Sequence, residues 1–131
     1  MQGSSSKLRN VYGEVDKDKF EDAIAKNSLF SYDYATNIIK GPFPKGENSI
    51  AKNPYYAYVY SKYILNKPFP KGEDAISRRG DLAYKYARNV LKGPFPKGEE
   101  TIKNSEFRDR YQYFLKELKW ISTNIIIVQK N

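Results

Sequence analysis

One hexapeptide, Pro-Phe-Pro-Lys-Gly-Glu, occurs three times in this chain and begins at Pro42, Pro68 and Pro94. The copies are therefore spaced 26 residues apart (42 to 68 to 94). Positions outside the hexapeptide recur with the same period, namely Ile24, Ile50, Ile76 and Ile102, and the tyrosine pairs Tyr32 and Tyr34, Tyr58 and Tyr60, and Tyr84 and Tyr86. A fixed period of this length is typical of stacked repeat proteins, because one unit alone cannot bury its apolar face.

The repeats divide the chain into four predicted units, 16–41, 42–67, 68–93 and 94–120, followed by a C-terminal cap over 121–131. We align the last unit with one inserted residue, which places Tyr111 and Tyr113 in the positions of the other tyrosine pairs. Each unit is predicted to hold a short helix, a turn, a longer helix and a proline-rich loop. The predicted fold class is therefore all-α, a helical repeat array of four helix-turn-helix units in a single domain over 11–131.

The starts of the long helices carry recognisable capping residues. Asn53 is a favourable N-cap, and Pro54 suits the first helical position because its missing N–H has no partner there anyway. The third unit departs from this pattern, with Arg79 in the N-cap position. We expect Asp81 to take over as the cap in that unit.

The two ends of the chain differ from the repeats. Residues 1–10 are polar and rich in serine, which predicts a disordered tail. Residues 11–15 and 125–129 are rich in β-branched and aromatic residues and indicate short β segments. Either the two segments pair as a small β-ribbon, or the C-terminal tail continues the helix from Trp120. In both cases we expect the ends to cap the array.

The composition excludes the side chains on which most catalytic mechanisms depend. The chain contains no histidine and no cysteine, so the commonest general base, the thiolate nucleophile and the usual zinc ligands are missing. Carboxylates, lysines and tyrosines remain as candidates. Glu47, Glu73 and Glu99 stand at helix starts, where the helix dipole accounts for them, and the repeated tyrosines fall on the packing face. We therefore expect no enzymatic activity, no cofactor and no metal.

The charge balance points to anionic partners. Lysine and arginine total 23 against 15 acidic residues, which gives a net charge of +8, and units 42–67 and 68–93 each contribute +3. Such an excess attracts acidic surfaces and phosphate backbones. The longest apolar run, at 125–128, has four residues, so we expect no membrane span but a soluble, cytoplasmic protein.

The candidate binding residues lie mainly on the central units. One lysine per loop is predicted to form a ladder of positive charge along one edge, and exposed tyrosines and arginines dominate the energetics of protein interfaces. The predicted partner-binding residues are Lys45, Lys71, Lys97, Tyr55, Tyr56, Lys62, Arg78, Arg79 and Arg88. The favoured partner is a protein with an acidic surface. The alternatives are salt-sensitive binding of RNA or single-stranded nucleic acid, with tyrosines stacking on bases, and self-association beside an exposed Trp120.

The segments 32–47, 58–73 and 84–99 share the form Tyr-x-Tyr-Ala/Ser…Ile/Leu-x-x-Pro-Phe-Pro-Lys-Gly-Glu. Over about residues 16–120 this pattern resembles short helical repeats in small proteins of tailed bacteriophages and some large viruses. The loop of those repeats often reads Gly-Arg-(Trp or Phe)-Pro-Glu-(Gly or Ala)-Glu, and this chain differs by a proline in the arginine position and a lysine in the acidic one. The resemblance implies a phage accessory protein that binds and inhibits a host protein, such as a component of anti-phage defence, in the bacterial cytoplasm.

Overall fold

The computed structural model describes the backbone of residues 7–10 and 13–130 and the side chains of residues 16–125. The helices within that part are α1 (Lys17–Ile24), α2 (Ser28–Tyr34), α3 (Glu47–Ile50), α4 (Pro54–Val59), α5 (Glu73–Ile76), α6 (Gly80–Tyr86), α7 (Glu99–Lys103) and α8 (Arg108–Lys130). Short helices alternate with longer ones, and successive pairs stack side by side. The predicted all-α helical array is confirmed.

Each long helix of the first three units ends in the same way. Helices α2, α4 and α6 continue as π-helical segments over Ala35–Ile39, Tyr60–Leu65 and Ala87–Leu91. The next residue, Lys40, Asn66 or Lys92, is in the left-handed conformation, with φ between 53° and 58°. A left-handed residue reverses the chain at a helix C-terminus. The reversal directs the chain into the Pro-Phe-Pro loop and the 3₁₀ turn that begins the next unit.

Of the two alternatives expected for the chain ends, the structure shows the one in which the C-terminal tail continues as a helix. Strands β1 (Lys7–Asn10) and β2 (Gly13–Asp16) pair with each other in an antiparallel hairpin, and α8 continues as a helix to Lys130. A ribbon between the two termini was therefore the wrong alternative, and residues 7–10 form a strand rather than part of a disordered tail. Residues 1–6, 11, 12 and 131 lie outside the described part. Among the described residues, none of the helices combines the length and the hydrophobicity of a transmembrane span.

Glycine recurs in the loop because the backbone there touches the preceding unit. A Cβ atom on Gly72 would lie 2.7 Å from the Cβ of Ala57, and one on Gly98 would lie 2.8 Å from the Cβ of Ala83. Such contacts are too short for real atoms. The φ angles at these glycines are negative, so space rather than backbone conformation selects glycine at both positions.

In each of the last three units, a buried tyrosine hydroxyl forms hydrogen bonds to two other parts of the same unit. The Tyr60 hydroxyl donates a hydrogen bond to Oε2 of Glu47 at 2.7 Å and accepts one from the backbone N–H of Phe43 at 3.0 Å. The same arrangement recurs as Tyr86 with Glu73 and Phe69, and as Tyr111 with Glu99 and Phe95. We call this set the tyrosine relay. It ties the start of the short helix, the long helix and the proline-rich loop of one unit to a single oxygen atom.

The same phenylalanines join neighbouring units. The Phe69 ring packs edge-on against the Tyr60 ring of the preceding unit, with ring centroids 5.3 Å apart, and the Phe95 ring packs against Tyr86 at 5.1 Å. All four rings are buried. Each phenylalanine is therefore held through its backbone by its own unit and through its ring by the unit before it.

In the fourth unit the interval between the glutamate and the relay tyrosine is one residue shorter than in the second and third units. Tyr111 lies 12 residues after its acceptor Glu99, whereas Tyr60 lies 13 residues after Glu47. Tyr111 therefore occupies the position of Tyr60, and Tyr113 points outward with 66% of its surface exposed. The predicted insertion is wrong, because only a one-residue deletion brings Tyr111 into the relay.

The predicted cap in the third unit is also wrong. Asn53 does cap α4, since its Oδ1 accepts a hydrogen bond from the N–H of Tyr56 at 3.0 Å. Helix α6 instead begins after Arg79 without a side-chain cap. Asp81 lies inside its first turn, and its carboxylate binds the Arg79 guanidinium through two hydrogen bonds of 2.8 and 3.2 Å.

Burial changes the acidity of the relay tyrosines and of Tyr34, whose hydroxyl donates a hydrogen bond to Oε2 of Glu21 at 2.7 Å in the first unit. Desolvation, together with the hydrogen bond to a glutamate, raises the pKa of Tyr34 and of Tyr111 to about 12. The pKa values of Tyr60 and Tyr86 are raised for the same main reason. The phenolate form is disfavoured in the fold because a second negative charge would form beside a carboxylate in a poorly solvated site.

Replacing Tyr86 with phenylalanine removes only the hydroxyl and leaves the N–H of Phe69 and the carboxylate of Glu73 without that partner. We expect Tyr86→Phe to lower the free energy of unfolding by about 1–3 kcal/mol in a urea titration. Tyr63→Phe is the matched control, because Tyr63 is 59% exposed, and it should change the stability by less than about 0.5 kcal/mol. Equal effects of the two variants would contradict the relay.

The raised tyrosine pKa values predict a loss of stability in alkali. An unfolded tyrosine ionises near pH 10, so the native state holds its proton more tightly than the unfolded state does. The buried tyrosines therefore contribute their full share to the free energy of unfolding below pH 10, and this share is lost as the pH rises toward 12. The last part of the phenolate absorbance, which comes from these tyrosines, should therefore appear at higher pH in the native chain than in the urea-unfolded chain, together with unfolding. Coinciding titrations would show that the hydroxyls are not buried.

Candidate interaction surface

The loop lysines do not form a free ladder, because each lies against acidic residues of the preceding unit. The Lys71 ammonium is 3.8 Å from Oε1 of Glu47, and the Lys97 ammonium is 2.8 Å from Oδ1 of Asp74. Its hydrogen bond to that carboxylate raises the pKa of Lys97 and lowers the pKa of Asp74. These lysines bridge neighbouring units through exposed ion pairs, so each faces a carboxylate of the same chain.

Lys45 makes the most extensive of these contacts. Its ammonium lies 3.3 Å from Asp22, 3.6 Å from Asp18 and 3.7 Å from Glu21 of helix α1. The three carboxylates therefore surround a lysine. Within the described side chains, no group of acidic residues is placed to hold a metal ion.

The predicted arginines are scattered. Arg79 is paired with Asp81. Arg78 is exposed and lines a shallow groove between α3 and α5, together with Lys52 and Lys71. Arg88 is exposed on the π segment that follows α6. The nine predicted residues therefore do not converge on one site.

An aromatic cluster does form where α2 meets α4. The Tyr32 and Tyr56 rings are 5.5 Å apart, and Tyr55 packs edge-on against Tyr56 at 5.3 Å. Burial raises the pKa of Tyr32, and the phenols of Tyr55 and Tyr63 add to the rise. The predicted pair Tyr55 and Tyr56 thus belongs to a larger tyrosine surface that begins on the first unit.

A second cluster continues this surface toward the third unit. The Lys62 ammonium lies over the Tyr63 ring, 5.0 Å from its centroid, which is a cation–π distance. Its interactions with the hydroxyls of Tyr63 and Tyr58 raise the pKa of Lys62. Tyr58 also accepts a hydrogen bond from the side-chain amide of Asn89 at 2.9 Å. Lys62 is therefore held as a cation between tyrosines.

A groove of about 330 Å³ adjoins Lys62, between the π segments of the second and third units. Its lining comprises Ser61, Lys62, Asn66, Lys67, Pro68, Asn89, Val90 and Lys92, with three lysines and no carboxylate. Ammonium and amide donors of this kind suit carboxylate or phosphate oxygens. We call Tyr32, Tyr55, Tyr56, Tyr58, Lys62, Tyr63 and Asn89, with this groove, the tyrosine–lysine face.

Sequence reasoning missed Lys67, Lys92 and Asn89 as members of this face. Lys67 stands directly before a Pro-Phe-Pro loop, and Lys92 is separated from the next loop by a single glycine. Asn89 is the repeat equivalent of Tyr63 (63 to 89), so the period itself brings the two positions together on neighbouring units. That equivalence was the signal that could have found Asn89.

Comparisons of the sequence with protein-family models and with curated proteins, and of the fold with solved structures, give no match. The function proposed below therefore rests on the geometry of the tyrosine–lysine face.

Proposed function

We propose that this chain is a non-enzymatic repeat protein that binds a macromolecular partner through the tyrosine–lysine face. The favoured partner is a protein with an acidic surface. One observation carries the proposal: Lys62 lies over the exposed ring of Tyr63 and lines a groove with three lysines and no lining carboxylate.

Tyrosines on rigid helices suit this role for a physical reason. Tyr55 and Tyr63 have 51% and 59% of their surfaces exposed, so both offer large contact areas. A tyrosine has few rotatable bonds, which keeps the entropy lost on binding small. Neighbouring cations attract an acidic partner and orient it before contact.

The internal pairing of the loop lysines favours a protein partner over nucleic acid. Binding to a phosphate backbone depends on many lysines and arginines that are free to neutralise phosphates. Lys45, Lys71 and Lys97 already contact carboxylates of the preceding units. The cationic groove spans only the second and third units, which fits a local acidic patch better than an extended strand.

The resemblance to phage repeats extends the proposal. It suggests that the partner is a host protein in the bacterial cytoplasm, and that binding inhibits it by covering a surface. A component of anti-phage defence is the kind of partner that this reasoning favours.

Affinity capture from a bacterial lysate tests the protein proposal with a matched pair of variants. We expect the double variant Lys62→Ala with Tyr63→Ala to retain at most about a tenth of the captured partner, a loss of about 1.4 kcal/mol or more. The control combines Lys116→Ala with Tyr113→Ala, which removes the same two residue types from exposed positions on α8. Capture that survives the first variant contradicts the proposal.

A fluorescence titration with labelled single-stranded RNA at two salt concentrations tests the alternative. The favoured proposal predicts weak binding at low salt that does not depend on Lys62 and Tyr63. Tight, salt-sensitive binding that is lost in the Lys62→Ala, Tyr63→Ala variant would instead establish the nucleic-acid function.

A further inference from the structure

Helix α8 is longer than its place in the array requires. In the second unit the long helix ends at Leu65, five residues after the relay tyrosine Tyr60. The equivalent end in the fourth unit, five residues after Tyr111, is position 116. The helix instead continues to Lys130, which adds about 21 Å at 1.5 Å per residue.

An apolar seam runs from the core of the array onto this extension. Phe114 is 7% exposed and Leu118 is half-buried, and both pack in the array. Ile121 and Ile125 follow and are 46% and 50% exposed. The spacing of four, three and four residues (114, 118, 121, 125) is that of a coiled-coil seam, and position 128 is a valine. The seam thus begins inside the molecule and continues outside it.

The described backbone of the N-terminal hairpin has its main contacts elsewhere. Strands β1 and β2 contact α1, in the first unit of the stack, whereas α8 belongs to the fourth unit. A helical end without tertiary contacts is only marginally stable in water. An extension that is helical and carries exposed apolar residues along this seam therefore indicates a partner from outside the chain.

We infer that the extension pairs antiparallel with the same segment of a second copy of this chain. In such a pair Ile121 of one copy packs against Ile125 of the other. A two-fold interface is self-complementary, so the seam supplies both of its sides. This inference concerns α8 and is independent of the proposed function.

The charges around the seam favour a like copy over an acidic partner. The residues beside it on the helix surface are Glu117, Ser122 and Asn124, whereas Lys116 and Lys119 lie about 130° to 170° away from its centre at 100° per residue. The seam therefore lacks the cations that an acidic partner would need. An antiparallel arrangement also places the basic arrays of the two chains, each chain having a net charge of +8, at opposite ends, where they repel each other least.

Sedimentation velocity of the full chain tests the inference at loadings from about 5 to 300 µM, a range suited to weak dimers. We expect the wild-type chain to shift from monomer to dimer as the concentration rises. Ile121→Lys and Ile125→Lys should each remain monomeric, because either places a charge in the seam. Thr123→Lys is the matched control, since it adds the same charge to the same helix on the opposite side, and it should dimerise like the wild type.

Two results would overturn the inference. One is a wild-type chain that remains monomeric throughout the concentration range. The other is a dimer that is unaffected by Ile121→Lys and Ile125→Lys, or one that Thr123→Lys weakens to the same extent as they do. Circular dichroism of each variant confirms that the array itself remains folded.

Discussion

The architecture depends on one kind of buried oxygen atom, the hydroxyl of the relay tyrosines. The Pro-Phe-Pro loop enters the core as extended chain, where the N–H of the phenylalanine has no helical or sheet partner. Tyr60 satisfies the N–H of Phe43 and at the same time bonds Glu47, so a buried donor and a partly buried carboxylate are held by one side chain. Leaving such a group unpaired costs more than one hydrogen bond contributes, which is why tyrosine recurs at this position.

The repeat period was sufficient to predict the helices of each unit and their order, and Ile50, Ile76 and Ile102 are all completely buried in equivalent positions. Ile24, the first of that series, is only partly buried, and the period did not decide that α8 continues as a helix to Lys130. The repeat period could not predict which charged residues form ion pairs. Lys97 meets Asp74, 23 residues earlier (97 − 74), and only the stacking geometry brings the two together. Asp81 failed as a predicted cap because Arg79 offers its carboxylate a stronger partner two residues away.

This pairing also changes which residues carry the proposed function. Lysines that the sequence placed on a binding edge serve mainly to join units, and the exposed chemistry lies on the long helices, around Lys62 and Tyr63. The candidate face was only partly predictable, since Tyr55, Tyr56 and Lys62 were identified but the neighbouring Asn89 was not. The seam of α8 is a separate surface, neutral where the tyrosine–lysine face is cationic, so the two suit different partners.

Native-state hydrogen exchange of the amides of Phe43, Phe69 and Phe95 tests the central claim most directly. If the tyrosine hydroxyls hold these loop amides, they should exchange only on global unfolding, as slowly as the amides of the buried helices. Exchange at the rate of exposed loop amides would contradict the account, because no helical hydrogen bond protects these positions.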